Sequence, residues 1–231
     1  MRRTMREIDL GNEGALFVGT DVDTRGHAHL AHKVVVTFET ALEIEGGELI
    51  APGVWLVQAA RANRIVAPGR VAFVFVDAGL FEAIDPATSR AAMVRVRDEL
   101  RAAEDNDGRW AAVATFLSSL PRIADRRVAR AASHLSEVAN ATVPSVAASV
   151  DLSGTRLTHL FTERVGVPPR QYRTCGTLRR SLALMTRGAS LTTIAHEAGF
   201  SDSAHLSRVF TQMLGVSPSE LVRSCAIRLR D

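Results

Sequence analysis

The strongest constraint on this chain is that part of it is written twice. Residues 151–169 (DLSGTRLTHLFTERVGVPP) lie over residues 199–218 (GFSDSAHLSRVFTQMLGVSP). Leu157 and Leu206, Phe161 and Phe210, Gly166 and Gly215, and Pro169 and Pro218 all match at an offset of 49. Upstream, Ala147 and Ala195, and Ser153 and Ser201, match at 48, so the later copy carries one extra residue near its turn. A duplicated segment of this kind is one supersecondary unit used twice, which is far more specific than a single copy.

The later copy shows what the unit is. Residues 194–198 read as a short Ala-rich helix, and Gly199-Phe200-Ser201 as a turn whose glycine can take positive φ. Residues 202–214 read as a second helix. Leu206, Val209, Phe210, Met213 and Leu214 recur at helical spacing and form one buried stripe. The other face carries Ser203, Ala204, His205, Ser207, Arg208, Thr211 and Gln212. It is small, polar and basic, which suits a groove lined with phosphates and base edges. In the earlier copy Thr142 can cap a helix over 143–149 with Pro144 in its first turn, and Ser153 can cap one over 154–165. Each copy ends in Gly-Val-x-Pro, a helix stop followed by a new start. Two helix-turn-helix units in tandem are expected. Between them, residues 169–187 carry Tyr172, Leu178, Leu182 and Met185 at apolar spacing, with Arg170, Arg173, Arg179 and Arg180 as charge. That predicts a connecting helix of roughly 28 Å, in which Gly176 marks either a kink or a close approach.

Ahead of this helical region the composition changes. Residues 33–38, 42–44, 48–51, 54–57, 64–66 and 71–76 are short β-branched runs. They are separated by Gly46-Gly47, Pro52-Gly53 and Pro68-Gly69. Such short, closely spaced strands predict a small antiparallel barrel or sandwich, with the Pro-Gly steps as hairpin corners. Residues 86–121 predict two amphipathic helices, which cover the barrel or pair with a second copy. The fold class expected is α+β and multidomain: a barrel over 1–85, a helical linker over 86–121, and an all-α domain with both repeat units over 122–231.

His27 and His29 alternate in a strand and share a face, which raises a metal site. No carboxylate and no second histidine follow where a metal set needs them; Asn63 stands in the later region. No metal and no cofactor are therefore expected. His27, His29, His32 and Asn63 are read instead as the lining of a pocket for a small effector.

Charge divides the chain. Residues 122–231 hold 15 Arg and 8 Asp/Glu, a net +7, whereas residues 1–121 hold 13 Arg/Lys and 17 Asp/Glu, a net −4. A basic half beside an acidic half suggests a nucleic-acid module joined to something else. Lys33 is the chain's one lysine, so a general preference for arginine weakens that argument. Cys175 and Cys225 give neither a disulfide framework nor zinc-ligand spacing. No apolar run approaches a membrane span and the N-terminus has no secretory h-region, so a cytoplasmic protein is expected.

The residues 194–195, 198–202, 205–210 and 215–218 (IA, AGFSD, HLSRVF, GVSP) carry a family resemblance. The region 122–231 resembles the DNA-binding domain of the AraC/XylS family of bacterial transcription regulators. More weakly, the HAH stretch and the APG turns resemble that family's cupin-like sensing domain. The resemblance implies a non-enzymatic regulator of promoter DNA, acting as a homodimer with RNA polymerase as a further partner. It puts base reading on Thr155, Arg156, Thr158 and His159 in the first unit, and on Ser203, Ala204, His205 and Arg208 in the second. Arg208 matches a common arginine of the family, whereas His159 stands where many members carry arginine. Ser153, Ser201, Arg170 and Arg173 fall to phosphate contact. Two other readings stay open: a cupin-type metalloenzyme with a helical appendage, and a DNA-binding dimer with no ligand.

Overall fold

A computed structural model describes residues 6–24, 27–28, 30–44, 48–59, 62–214 and 216–230. Strands β1 (Arg6–Leu10), β2 (Gly14–Asp23), β3 (His27–Ala28), β4 (His32–Thr37), β5 (Leu42–Ile44), β6 (Glu48–Ile50), β7 (Val54–Val57), β8 (Ala62–Asn63) and β9 (Ile65–Val76) come first. Helices α1 (Pro86–Ala102), α2 (Asn106–Ser118), α3 (Arg126–Glu137), α4 (Val143–Ser149), α5 (Gly154–Val165), α6 (Pro169–Met185), α7 (Leu191–Ala198), α8 (Ser203–Leu214) and α9 (Pro218–Ser224) follow. A last strand, β10 (Cys225–Leu229), closes the order.

The main sheet runs β10-β1-β2-β9-β4-β7, with the β5–β6 hairpin attached to β9. Its β10–β1 edge pair is parallel, Arg6 opposite Cys225 through Leu10 opposite Leu229. This is an open, mixed sheet where the sequence predicts a small antiparallel barrel or sandwich. The runs of β-branched residues do not mark three of its strands. β1 and β2 flank the turn 11–13 with a plain alternation, Ile8 and Leu10, then Leu16 and Val18. β10 follows α9 without a loop, inside a stretch whose surroundings are all helical.

A second difference lies at Pro68-Gly69, expected as a hairpin corner. The chain runs straight through it as the single strand β9. The irregularity is a bulge shared with the partner: register shifts between Thr20 and Val22, where Asp21 at φ 54° faces both Pro68 and Gly69, the latter at φ 92°. Asp21 takes no regular partner, so the missing N–H of Pro68 leaves no gap in the ladder. Gly69 N donates instead to Asp21 Oδ1 at 2.9 Å. Side-chain alternation along β2 also reverses across Asp21. Leu16 and Val18 face one side of the sheet, and Val22 faces the other with Phe73.

Helices α1 and α2 pack on the first of those sides. Met93, Val96, Leu100, Val113, Phe116 and Leu117 meet Leu16, Val34, Val36, Val74 and Val76 in one buried cluster. Each such side chain contributes about 1.5–3 kcal/mol on leaving water. The apolar stripes of both helices are thus used within the chain. Helices α3 to α9 lie against the sheet's other side. Leu10 shares a core with Leu182, Ile194, Phe210 and Leu221, and Leu30 and Ala78 share one with Leu135, Leu157 and Phe161.

Candidate nucleic-acid interface and effector pocket

The two repeat copies close their first helices in the same way. After α4, Asp151 sits at φ 55° and Leu152 N donates to Ala147 O at 2.9 Å. After α7, Gly199 sits at φ 95° and Phe200 N donates to Ala195 O at 2.8 Å. Both are left-handed helix stops, one built on glycine and one on aspartate. The copies part at the next residue. Helix α5 is capped by Ser153, whose Oγ accepts from Arg156 N at 3.2 Å. In α8 the corresponding acceptor is Asp202 Oδ1, which takes His205 N at 2.7 Å. The residue added to the later copy is therefore Ser201, between turn and cap.

In the first copy Thr155, Arg156, Thr158 and His159 are all exposed. Thr158 Oγ1 donates to Gly154 O at 2.8 Å, and His159 Nδ1 stands 3.9 Å from Glu163. In the second, Ala204 and Arg208 are exposed, and Ser203 and His205 are half-buried. His205 is held edge-on to the Phe200 ring, centroids 5.3 Å apart, with Nδ1 3.1 Å from Ser201 Oγ. The N–H of His205 and the hydroxyl of Ser201 hold the Asp202 carboxyl below its ordinary range, and Arg208 adds to the effect.

The connecting helix α6 is continuous through Gly176. A Cβ there would lie 2.4 Å from Ser136 O, so the glycine allows α6 to touch the backbone of α3. Its arginines differ from the reading of solvated charge. Arg173 Nη1 donates to Ala141 O at 2.9 Å. Arg179 donates to the carbonyls of Gly11 and Asn12 in the β1–β2 turn. Arg180 donates to Ser136 O at the end of α3 and, at 3.3 Å, to Ala198 O at the end of α7. Burial, then the nearby Arg173, lower the Arg180 pKa. Arg170 stays exposed. Ser153 Oγ serves as the α5 cap, and Ser201 Oγ lies 3.0 Å from Asp202 Oδ2. Bonds to backbone carbonyls leave no mark in a sequence pattern, so spacing does not separate Arg179 and Arg180 from surface arginines.

A cavity of about 240 Å³ lies between the sheet and these helices. Ala15, Phe17, Phe73 and Phe75 form the sheet wall, and Leu178, Leu182, Leu214 and Leu221 form the helix wall. Phe17 and Phe73 stack with centroids 5.5 Å apart. Asp77, Arg179, Cys175 and Cys225 also reach the cavity. Asp77 Oδ1 accepts from Tyr172 Oη at 2.6 Å and from Gly79 N at 2.8 Å, joining sheet to α6. Burial pushes the Asp77 carboxyl and the Tyr172 hydroxyl up.

Of His27, His29, His32 and Asn63, the side chain of His32 alone is described. His29 lies outside the described residues. His27 and Asn63 are register partners across β3 and β8, and their side chains lie outside the description. His32 shares the sheet side of Val34 and Val36, away from the cavity. It accepts from Ala59 N at 3.3 Å, and burial lowers its pKa, partly opposed by Gln58. Lys33, on the cavity side of the sheet, is buried over the Phe73 ring at 5.1 Å from its centroid, and burial lowers its pKa to about 7. Among the described residues no cluster of His, Cys, Asp or Glu is arranged to hold a metal ion, and no helix is long and apolar enough to cross a membrane.

Residues 146–224 match the family described as helix-turn-helix domain, which spans both helix pairs and ends where β10 begins. The arabinose operon regulatory protein of Escherichia coli (strain K12) is 33% identical over 111 residues. That match takes in 46% of this chain and 38% of the relative, so the chain spans well under half the length of the curated relative it matches. Among solved structures, apo ToxT from Vibrio cholerae superposes with a TM-score of 0.61 at 12% identity, over 94% of this chain and 99% of that one. Wild-type ToxT bound to an unsaturated fatty acid superposes at 0.56 and 13% identity, over 92% and 96%. The likeness to ToxT is one of fold: an N-terminal sheet joined to C-terminal helices. The C-terminal helices are thus a helix-turn-helix domain. Over this region the chain is similar to the arabinose operon regulatory protein, which agrees with the AraC/XylS resemblance carried by its sequence.

Proposed function

We propose that the chain is a sequence-specific, DNA-binding transcription regulator whose activity is set by a small apolar effector. One observation carries the DNA-binding part. Two helix pairs, closed by the same left-handed turn 48 residues apart, are fixed to one connecting helix with polar reader faces outward. Both pairs act as helix-turn-helix units within a domain over 122–231. Thr155, Arg156, Thr158 and His159 read bases in one unit, and Ser203, Ala204, His205 and Arg208 in the other. Arg208 makes the two-bonded grip on guanine. Ser153, Ser201 and Arg170 meet phosphate, and Arg173 does so with the donors left over from Ala141.

The effector occupies the cavity between sheet and helices, in preference to the region of His27, His29, His32 and Asn63. Its aromatic and leucine walls support an apolar body, and Asp77 with Arg179 supplies one polar corner. The fatty acid held by ToxT supports the same class of ligand. Residues 1–85 sense the effector, and residues 86–121 brace the sheet. Two copies act on paired half-sites in the cytoplasm, alongside RNA polymerase, through surfaces other than the buried faces of α1 and α2.

Genome-wide mapping of bound DNA supplies the operator. On that operator, Arg208→Ala is expected to lose about 1–3 kcal/mol of specific binding and to relax preference at one base position. A gel-shift series across site variants reads this; unchanged discrimination would remove Arg208 from base reading.

A further inference from the structure

Strand β10 belongs by sequence to the DNA-binding half and by pairing to the sheet. It follows α9 without a loop, and α9 shares a core with the reader helix α8 through Leu221, Leu206 and Phe210. It has one neighbour, β1, and forms the edge of the sheet. Besides that ladder and the packing of Cys225 and Ile227 on the core, charge fastens it. Arg228 meets Glu7 at 3.2 Å and Asp9 at 3.7 Å, and Arg230 meets Asp9 at 2.7 Å, where Asp9 is buried. Arg230 also reaches Asp107 on α2, and Arg109 on the same helix meets Glu7 at 3.0 Å. The fit is incomplete: Arg109 Nε, Arg228 Nη1 and Arg230 Nη2 are buried without a hydrogen-bond partner. Buried donors left unmade offset part of what the ion pairs contribute. Ile8 and Leu10 of β1 and Cys225 at the head of β10 are themselves part of the cavity wall.

We propose that β10 is a detachable strap that closes the effector cavity and ties the second reader unit to the sheet. The inference rests on the effector reading above for what enters the cavity, and on the strand pairing alone for the strap. A five-residue edge strand with one ladder opens locally at far lower cost than the sheet. When it leaves β1, the cavity loses its wall at Cys225, Ile8 and Leu10 lose the strand beside them, and α9 loses its anchor. Cavity opening and release of the second unit are then one event. The first unit keeps its own attachments through Ala78 and Leu30.

The two cysteines of the chain both reach the cavity, so thiol alkylation reports on it directly. N-ethylmaleimide labelling of Cys175, followed by mass spectrometry, is compared in wild type, in Arg230→Ala and in a chain stopped after Ser224. Labelling about tenfold faster in the shortened chain, with Arg230→Ala between, supports the strap. Wild-type rates in both variants overturn it. Should the shortened chain not fold by circular dichroism, Arg230→Ala decides by the same rate and by faster amide exchange over residues 6–10. Oleic acid is the ligand probe. Protection of Cys175 by oleic acid that is lost with β10 supports the strap, and equal protection with and without β10 overturns it. If oleic acid protects neither chain, the effector reading falls and the alkylation rates still decide the strap.

Discussion

The two repeat units start from one pattern and end with different degrees of constraint. In the second, His205 is fixed by its ring contact with Phe200 and by Ser201, and the unit continues through α9 into the sheet. In the first, His159 stands free apart from a 3.9 Å approach to Glu163, and its turn holds an aspartate where the other has glycine. Duplication fixes the backbone path of a reader. What surrounds each copy fixes how rigidly its outward face is presented: the second is held by more contacts within the protein than the first.

Three changes break or sharpen this contrast. The largest effect is expected at the contact of α6 with the first unit's support. Gly176→Val puts side-chain atoms into Ser136 and is expected to cost about 3 kcal/mol by overpacking, read as a loss of stability to urea. The turn residues come next and act with opposite signs. Gly199→Ala forces a Cβ into a left-handed position 3.2 Å from Ala139 O and is expected to cost about 1–2 kcal/mol. Asp151→Gly relieves the matching strain in the first unit and is expected to be neutral or to gain up to about 1 kcal/mol. Equal losses at both turns would remove the distinction. The smallest effect separates the caps by pH. The Asp202 carboxyl is held below 3.8, chiefly by the His205 N–H, so its support is present above that value and is lost as pH falls through the lowered one. Ser153 does not ionise in this range. Amide exchange followed on acidification through the lowered Asp202 range is expected to rise at His205 and to stay level at Arg156.

Much of the helical half is legible in the sequence because its signals are local. Caps at Thr142, Ser153 and Ser190, the stop at Gly199 and the stripe through Leu206 and Phe210 each follow from neighbours within four residues. The sheet is less legible because its logic is long-range. Pro68-Gly69 reads as a corner until Asp21, nearly fifty residues away, faces it in a bulge and keeps it within one strand. Strand β10 pairs with a strand some 220 positions earlier, and nothing in CAIRL announces that partner. The cavity is hidden for the same reason, since Phe17, Phe75 and Leu178 meet only once the sheet and α6 are stacked.

The arginines bonded within the protein change how its net charge acts toward DNA. Arg122, Arg127, Arg130, Arg173, Arg179, Arg180, Arg228 and Arg230 already face carboxylates or backbone carbonyls. Arg126, Arg156, Arg164, Arg170, Arg187, Arg208 and Arg223 remain exposed. Only such free cations displace the ion atmosphere of a duplex, at roughly 0.9 in the logarithmic salt slope per phosphate met. A single chain on its operator is expected to show a slope of about 6 at most, roughly half what all its C-terminal arginines together would give. Fluorescence anisotropy across a salt series measures it. The slope falls short of what the C-terminal arginine count alone would give, because about half of those side chains are already tied to partners within the protein.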